Sequence, residues 1–151
     1  MICLALYQPD IPQNAGTILR MGACLGVPVH IIEPAGFVWS DRSLKRAGMD
    51  YLDHADIARH DSFDAFLQAC AGRRMVLLTT RSDVPYTEFA FRDGDILLLG
   101  RESAGVPDKV HRIADGCVRI PMQAGVRSLN VAVSAALVLG EALRQSGGFP
   151  S

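Results

Sequence analysis

The sequence predicts an α/β fold, a mostly parallel sheet with helices on both faces. Three observations carry this reading. Apolar stretches of strand length alternate along the chain with stretches whose apolar residues recur at helical spacing. Residues 95–99 run Asp-Ile-Leu-Leu-Leu, the continuous apolar pattern of a central strand buried on both faces. A final helical stretch, residues 129–144, is apolar almost all round.

Taken in order, residues 2–7 are expected as a buried strand, followed by the rigid loop Gln8-Pro-Asp-Ile-Pro. Asn14 is expected to cap a helix that runs to about Leu25 and ends at Gly26. Ile18, Met21, Gly22 and Leu25 share one face of that helix, and Arg20 falls off it. Residues 29–32 form a second strand, ended by Glu33-Pro-Ala-Gly, and Asp41 is placed to cap a short helix through Arg46. Residues 56–60 read as a short strand, then Asp61 or Ser62 caps a helix over 63–70 that Gly72 ends. Residues 75–79 form a strong strand, 81–93 are irregular, and Pro107 opens a helix to about Ala114. The last strand, 117–120, stops at Pro121, which has no N–H for a ladder. After a loop over 122–127, Ser128 is expected to cap the final helix. Leu129, Val131, Val133, Leu137, Val138 and Leu139 cover more than one face of it. Something besides its own sheet must cover such a helix, and a partner subunit, making a homodimer, is the natural candidate.

With 151 residues the chain is expected as one domain, residues 1–151, long enough to bury a real core. Hydrophobic residues make up 49% and charged residues 21%, as in globular proteins. No apolar run is long enough for a membrane helix, and the start Met1-Ile-Cys-Leu lacks the basic region of a secretory leader. Cys3, Cys24, Cys70 and Cys117 are scattered through apolar runs without a Cys-x-x-Cys pair, the pattern of buried free thiols. A cytoplasmic location fits all of this. The net charge of −1 argues against a nucleic-acid-binding domain. The charge is uneven, however: Arg42, Lys45 and Arg46 cluster, as do Arg73 and Arg74, and a homodimer doubles each patch.

In an open α/β sheet, ligands bind beyond the C-terminal strand ends. Three loops fall there, after Leu78, Leu99 and Ile120, and Gly100 and Gly105 let the backbone approach a ligand closely. Several chemistries are poorly supported. No Gly-x-Gly-x-x-Gly follows the first strand and no phosphate-binding Walker pattern occurs. His30, His54, His60 and His111 lack metal-ligand spacing, so no metal is expected and each reads as a surface or satisfied histidine. Ser103 is not in a Gly-x-Ser-x-Gly elbow.

Three stretches carry a resemblance. Ile120-Pro-Met, a short loop and Ser128-Leu-Asn-Val-Ala-Val-Ser resemble the third motif of the SpoU/TrmD (SPOUT) superfamily of RNA methyltransferases. Leu97-Leu-Leu-Gly-Arg-Glu-Ser-Ala-Gly-Val-Pro107 looks like the second motif, and Pro9-Asp-Ile-Pro-Gln-Asn-Ala-Gly-Thr-Ile-Leu-Arg20 like the first. All three occur in order and span nearly the whole chain. The resemblance implies a C-terminal deep trefoil knot and a site for S-adenosyl-L-methionine, with S-adenosyl-L-homocysteine as product. It assigns cofactor contacts to Leu78, Thr79, Gly100, Ile120, Met122, Ser128 and Leu129. It assigns catalysis to Arg20, with Asn14 and Glu102 at positions that brace one another in relatives. Arginine keeps its proton, so Arg20 either orients phosphate and ribose hydroxyl or yields a proton transiently.

Within the superfamily the closest resemblance is to the single-domain tRNA (cytidine/uridine) 2′-O-methyltransferases of the wobble nucleotide. The Ile31-Ile-Glu-Pro-Ala-Gly-Phe stretch and Arg46-Ala-Gly-Met-Asp-Tyr51 match that branch. It implies the tRNA anticodon region as partner, with Arg46 and Arg127 as RNA contacts. Two positions depart from the branch. Ala104 stands where arginine is common, with Arg101 nearby, and Gly140 stands where tyrosine is common. The same fold acting on ribosomal RNA or another tRNA site is an alternative, as is a non-catalytic RNA-binding knot protein. The intact Asn14, Arg20 and Glu102 weigh against the last.

Overall fold

The structure is a computed structural model that describes residues 1–38, 55–126 and 129–151. Strands β1 (Cys3–Tyr7), β2 (Val29–Ile32), β3 (Ile57–His60), β4 (Met75–Leu78), β5 (Ile96–Leu99) and β6 (Gly116–Val118) form one sheet in the order β3-β2-β1-β5-β4-β6. Every pairing in it is parallel. The helices are α1 (Pro12–Leu25), α2 (Phe63–Ala69), α3 (Asp108–Ile113) and α4 (Val131–Ser146).

The alternation of side chains along each strand sends apolar groups into two separate cores. Leu4, Leu6, Val76, Leu97 and Leu99 pack on one face under α1 and α4. Cys3, Ala5, Leu77, Ile96 and Leu98 pack on the other under α2 and α3. Neighbours such as Leu97 and Leu98 are therefore both buried while pointing in opposite directions. Each buried leucine contributes about 1.5–3 kcal/mol, which is why β5 is apolar on both faces.

The strands lie where the alternation predicts them, except that β6 ends at Val118 rather than running to Ile120, and Gly26 ends α1 in the left-handed conformation with φ 67°. Two caps differ from expectation. Helix α1 begins at Pro12, whose fixed φ suits a first turn, so Asn14 lies inside the helix and its side chain is free for other work. Helix α4 begins at Val131, capped by Asn130 rather than Ser128: Asn130 Oδ1 accepts the N–H groups of Ala132 (2.8 Å) and Val133 (3.2 Å). Cys3 is buried as expected, but Cys24 is exposed, because it falls on the solvent side of α1. The expected helix from Asp41 to Arg46 lies outside the described residues.

Helix α4 buries Ala135, Val138, Leu139, Ala142 and Leu143 against the sheet and α1. Val133 and Leu137 remain 50% and 41% exposed, so this sheet does not cover the whole apolar circumference.

Candidate functional site

From β1 the chain builds outward to β2 and β3, then returns to place β5, β4 and β6 on the other side. Such a switch in strand order leaves a crevice beyond the C-terminal strand ends. A cavity of about 600 Å³ lies there. Its walls are the loops after β4, β5 and β6 and the first turns of α1 and α4. That volume falls in the range of roughly 300–1,000 Å³ usual for cofactor sites.

The loop after β5 shapes one wall. Arg101 N–H donates to Gly105 O (2.9 Å) and Gly105 N–H to Arg101 O (2.8 Å), which folds the loop back on itself. A Cβ on Gly100 would lie 2.8 Å from the Gly105 carbonyl carbon, so only glycine fits that close approach. Gly105 itself has φ 63°. On the β4 side, Thr79 Oγ1 is 3.0 Å from His111 Nε2 and accepts the Arg81 N–H at 3.2 Å. Both Thr79 and His111 line the cavity.

A polar network crosses from one loop to the next. Asn130 Nδ2 donates to Asn14 Oδ1 (2.9 Å), and Asn14 Nδ2 donates to Glu102 Oε1 (3.4 Å). Glu102 Oε2 accepts the Asp10 N–H at 3.3 Å. Ser103 Oγ donates to Asp10 Oδ2, and an Arg101 Nη2 lies 3.8 Å from it. Burial, followed by the neighbouring Asp10 carboxyl, pushes the Glu102 carboxyl above the ordinary glutamate value. The neighbouring Glu102 carboxyl holds Asp10 below its ordinary value, helped by Ser103 and Arg101 against the opposing effect of burial.

The sequence pattern described as the SpoU rRNA Methylase family matches residues 1–140. The chain belongs to the SpoU methylase family. It is similar to a tRNA (cytidine(34)-2′-O)-methyltransferase of Beijerinckia indica subsp. indica, 65% identical over 97% of this chain and 92% of that protein. A solved structure described as giving insights into the 2-OH methylation of C/U34 on tRNA superposes with a TM-score of 0.91. It is 48% identical and covers 96% of this chain and 95% of its own. An AdoMet-bound rRNA methyltransferase from Sinorhizobium meliloti superposes with a TM-score of 0.84 at 29% identity, covering 95% of this chain and 56% of that one.

In this SpoU methylase, Asn14, Leu78, Thr79, Gly100, Glu102, Ile120, Met122 and Leu129 all line the cavity. Asn14 and Glu102 are bonded to each other. Arg20 differs: it is exposed on α1 and is not part of the cavity wall. It lies six residues beyond Asn14, about 9 Å along the helix axis. Arg46, Arg127 and Ser128 lie outside the described residues.

Sequence reasoning passed over Asp10 and Asn130, which sit inside the quoted motif stretches but show no spacing that marks them. Arg101 points inward to Gln8 Oε1 at 3.5 Å and toward Asp10. A Cβ on Gly140 would meet nothing within 4 Å, so the position does not require glycine for packing. His30 and His60 stack beside Phe66 with Nδ1 and Nε2 2.9 Å apart, and so are satisfied away from the cavity. Among the described residues no three His, Cys, Asp or Glu side chains cluster as metal ligands. No described helix is long and apolar enough to cross a membrane.

Proposed function

We propose that this chain transfers a methyl group from S-adenosyl-L-methionine to the ribose 2′-hydroxyl of the wobble nucleotide, position 34, in the tRNA anticodon. The observation that carries the reading is the convergence of all three motif stretches on one cavity of cofactor size. Its support is the family membership and the likeness, over nearly full length, to relatives named for that reaction.

The cavity residues fit the donor. Gly100 leaves backbone groups bare, while Leu78, Ile120, Met122 and Leu129 offer apolar surface. Leu78, Thr79, Gly100, Ile120, Met122, Ser128 and Leu129 would hold it, largely through backbone groups. When bound, S-adenosyl-L-methionine supplies a sulfonium-activated methyl and leaves as S-adenosyl-L-homocysteine. The protein's task is to align the ribose oxygen and exclude water, and orientation can supply much of the acceleration. Asn14 and Glu102 brace the wall beside the first turn of α1. Arg20, outside the cofactor cavity, serves the RNA side by holding phosphate and ribose hydroxyl through its planar fork. Arg46 and Arg127 extend that contact.

The reading includes a single domain with the C-terminal knot of the superfamily, and a homodimer that covers Val133 and Leu137. The protein should give binding heat with S-adenosyl-L-homocysteine and transfer labelled methyl to tRNA. Mass mapping should place the label on nucleotide 34. A folded protein that binds the product but labels another nucleotide would move the substrate assignment. Arg20→Ala should lower transfer by roughly 10³-fold, the scale of losing one aligned donor to the reacting group. Cofactor affinity should stay within about twofold, because Arg20 is not part of the cavity wall. Val133→Asp should convert a dimer to monomers in sedimentation, because it would bury an unpaired charge at the interface. A sharp melting transition in the variant would separate lost assembly from lost folding.

A further inference from the structure

Beside the cavity, the loop after β4 is fastened to α3 at two points. Arg81 pairs with Asp108, at the start of that helix, across 2.7 Å and open to solvent. Less exposed, Thr79 Oγ1 lies 3.0 Å from His111 Nε2, and both residues line the cavity. The Thr79 hydroxyl also accepts the Arg81 N–H at 3.2 Å, while the Thr79 N–H donates to Val118 O at 2.9 Å. The other ring nitrogen, His111 Nδ1, is buried and bonded to no described group.

That orphan decides which way the Thr79–His111 bond runs. A neutral imidazole has one N–H donor and one acceptor nitrogen. With the proton on Nδ1, Thr79 donates to Nε2 and a buried N–H is left unmet. With the proton on Nε2, the ring donates to Thr79 and only a lone pair is left unmet. Orphaned buried N–H groups are the rarer fault, so the second arrangement is favoured. A hydroxyl has two lone pairs and one proton. The Arg81 N–H then fills one lone pair of Thr79 and His111 Nε2–H the other, and the Thr79 proton is left for an acceptor inside the cavity. Other polar groups of the wall are already engaged: Asn14 and Glu102 bond to each other, and Ser103 to Asp10.

We propose that His111 is a positioning residue for the methyl donor: it donates Nε2–H to Thr79 and so commits the Thr79 hydroxyl to a hydrogen-bond acceptor of the bound cofactor. This rests on the reading of the cavity as the S-adenosyl-L-methionine site. A free hydroxyl can turn to donate or to accept. One that already takes two donors can only donate, so the β4 side of the cavity selects a ligand that presents an acceptor there and rejects one that presents an N–H or O–H.

The test uses the full chain, with S-adenosyl-L-homocysteine as probe. Nitrogen-15 NMR of the neutral imidazole, with His111 identified by through-bond assignment, reads the tautomer in the unaltered protein. The proton should sit on Nε2 with Nδ1 bare, and the opposite tautomer overturns the proposal. In calorimetry, Thr79→Val should lower affinity for the probe about fivefold, the scale of one lost hydrogen bond. His111→Leu frees the hydroxyl to turn and should cost about threefold. Made in Thr79→Val, it should cause no further loss, because the group it acts through is gone. His111→Gln, whose amide N–H can reach the same oxygen, should restore affinity to within about twofold of the unaltered protein. Equal losses in the Leu and Gln variants, or losses that multiply in the double variant, mark His111 as merely structural and overturn the proposal. An unaltered protein that gives no binding heat sinks the cofactor reading and this proposal with it. Normal binding that Thr79→Val leaves unchanged sinks this proposal alone.

Discussion

Strand β5 carries a carboxylate just beyond each end, one buried and one half-buried, and the two are treated in opposite ways. Asp95, at the N-terminal end, is 1% exposed and fully served. Arg74 donates to both of its oxygens, at 2.8 and 2.7 Å, and the Arg92 N–H adds a third bond at 2.9 Å. The same guanidinium lies over the Phe89 ring, 5.0 Å from its centroid. Glu102, past the C-terminal end, is held by the Asp10 N–H (3.3 Å) and the Asn14 amide (3.4 Å) instead of a cation. Around it Asp10 Oδ1 and Arg101 Nε are buried without ordinary partners, and Gln8 is strained. Buried polar groups are normally satisfied, so the exceptions mark a site kept for something other than stability. The base of the sheet is an anchor, and the top is held in a less stable arrangement that the anchor can support.

The contrast can be broken most strongly at the base. Asp95→Ala removes one half of a buried, bidentate pair and leaves Arg74 uncompensated, which should cost about 3 kcal/mol. Denaturant unfolding should record that loss, while the fraction still folded binds S-adenosyl-L-homocysteine with nearly normal affinity. Loss of binding in the folded fraction would show that the two ends are not independent. Gly100→Ala acts at the top. Its Cβ would strike the Gly105 backbone, so the loop must open. Calorimetry should show cofactor affinity falling by more than about tenfold, with a stability loss of about 1–3 kcal/mol, the usual cost of overpacking.

The smallest effect concerns pH. The folded Glu102 keeps a proton that the unfolded chain has already released between the ordinary glutamate value and the raised one. The folded state binds more protons in that window, so its stability should fall as pH rises through it. At most about 1.4 kcal/mol is at stake for every tenfold difference in proton affinity between the folded and unfolded chain, and solvent near the pair reduces it. Asp10 acts oppositely and at lower pH, where protonation of its depressed carboxyl should weaken the fold as pH falls. Chemical denaturation across the acid range should show the Glu102 slope in the unaltered protein and a flatter line in Asp10→Asn. Equal slopes would remove the distinction between the two ends.

Much of this was legible in the chain itself. The pleat of each strand, the period of α1 and the turn at Gly26 are local consequences of residue type, so they appear where the pattern places them. The loops after Leu78, Leu99 and Ile120 could be read as one site because parallel strands must present their C-terminal ends together. The caps were harder. Asn14 and Ser128 are good capping residues by type, yet Pro12 starts α1 earlier and Asn130 captures the start of α4. Several suitable residues stood within one turn, and propensity alone does not rank them.

What residue order determined by itself was the menu of elements, their sequence along the chain and the three motif stretches. Tertiary structure decided which side chains meet. Asp10 and Glu102 are 92 positions apart, and Asn14 and Asn130 are 116 apart. No periodicity marks such pairs, because their contact depends on β1 lying beside β5 and on α1 lying against α4. The same placement put Arg20 outside the cavity wall although its motif helps to build it. A helix of fixed pitch aims Asn14 and Arg20 in different directions, so belonging to one motif does not bring two residues to one site.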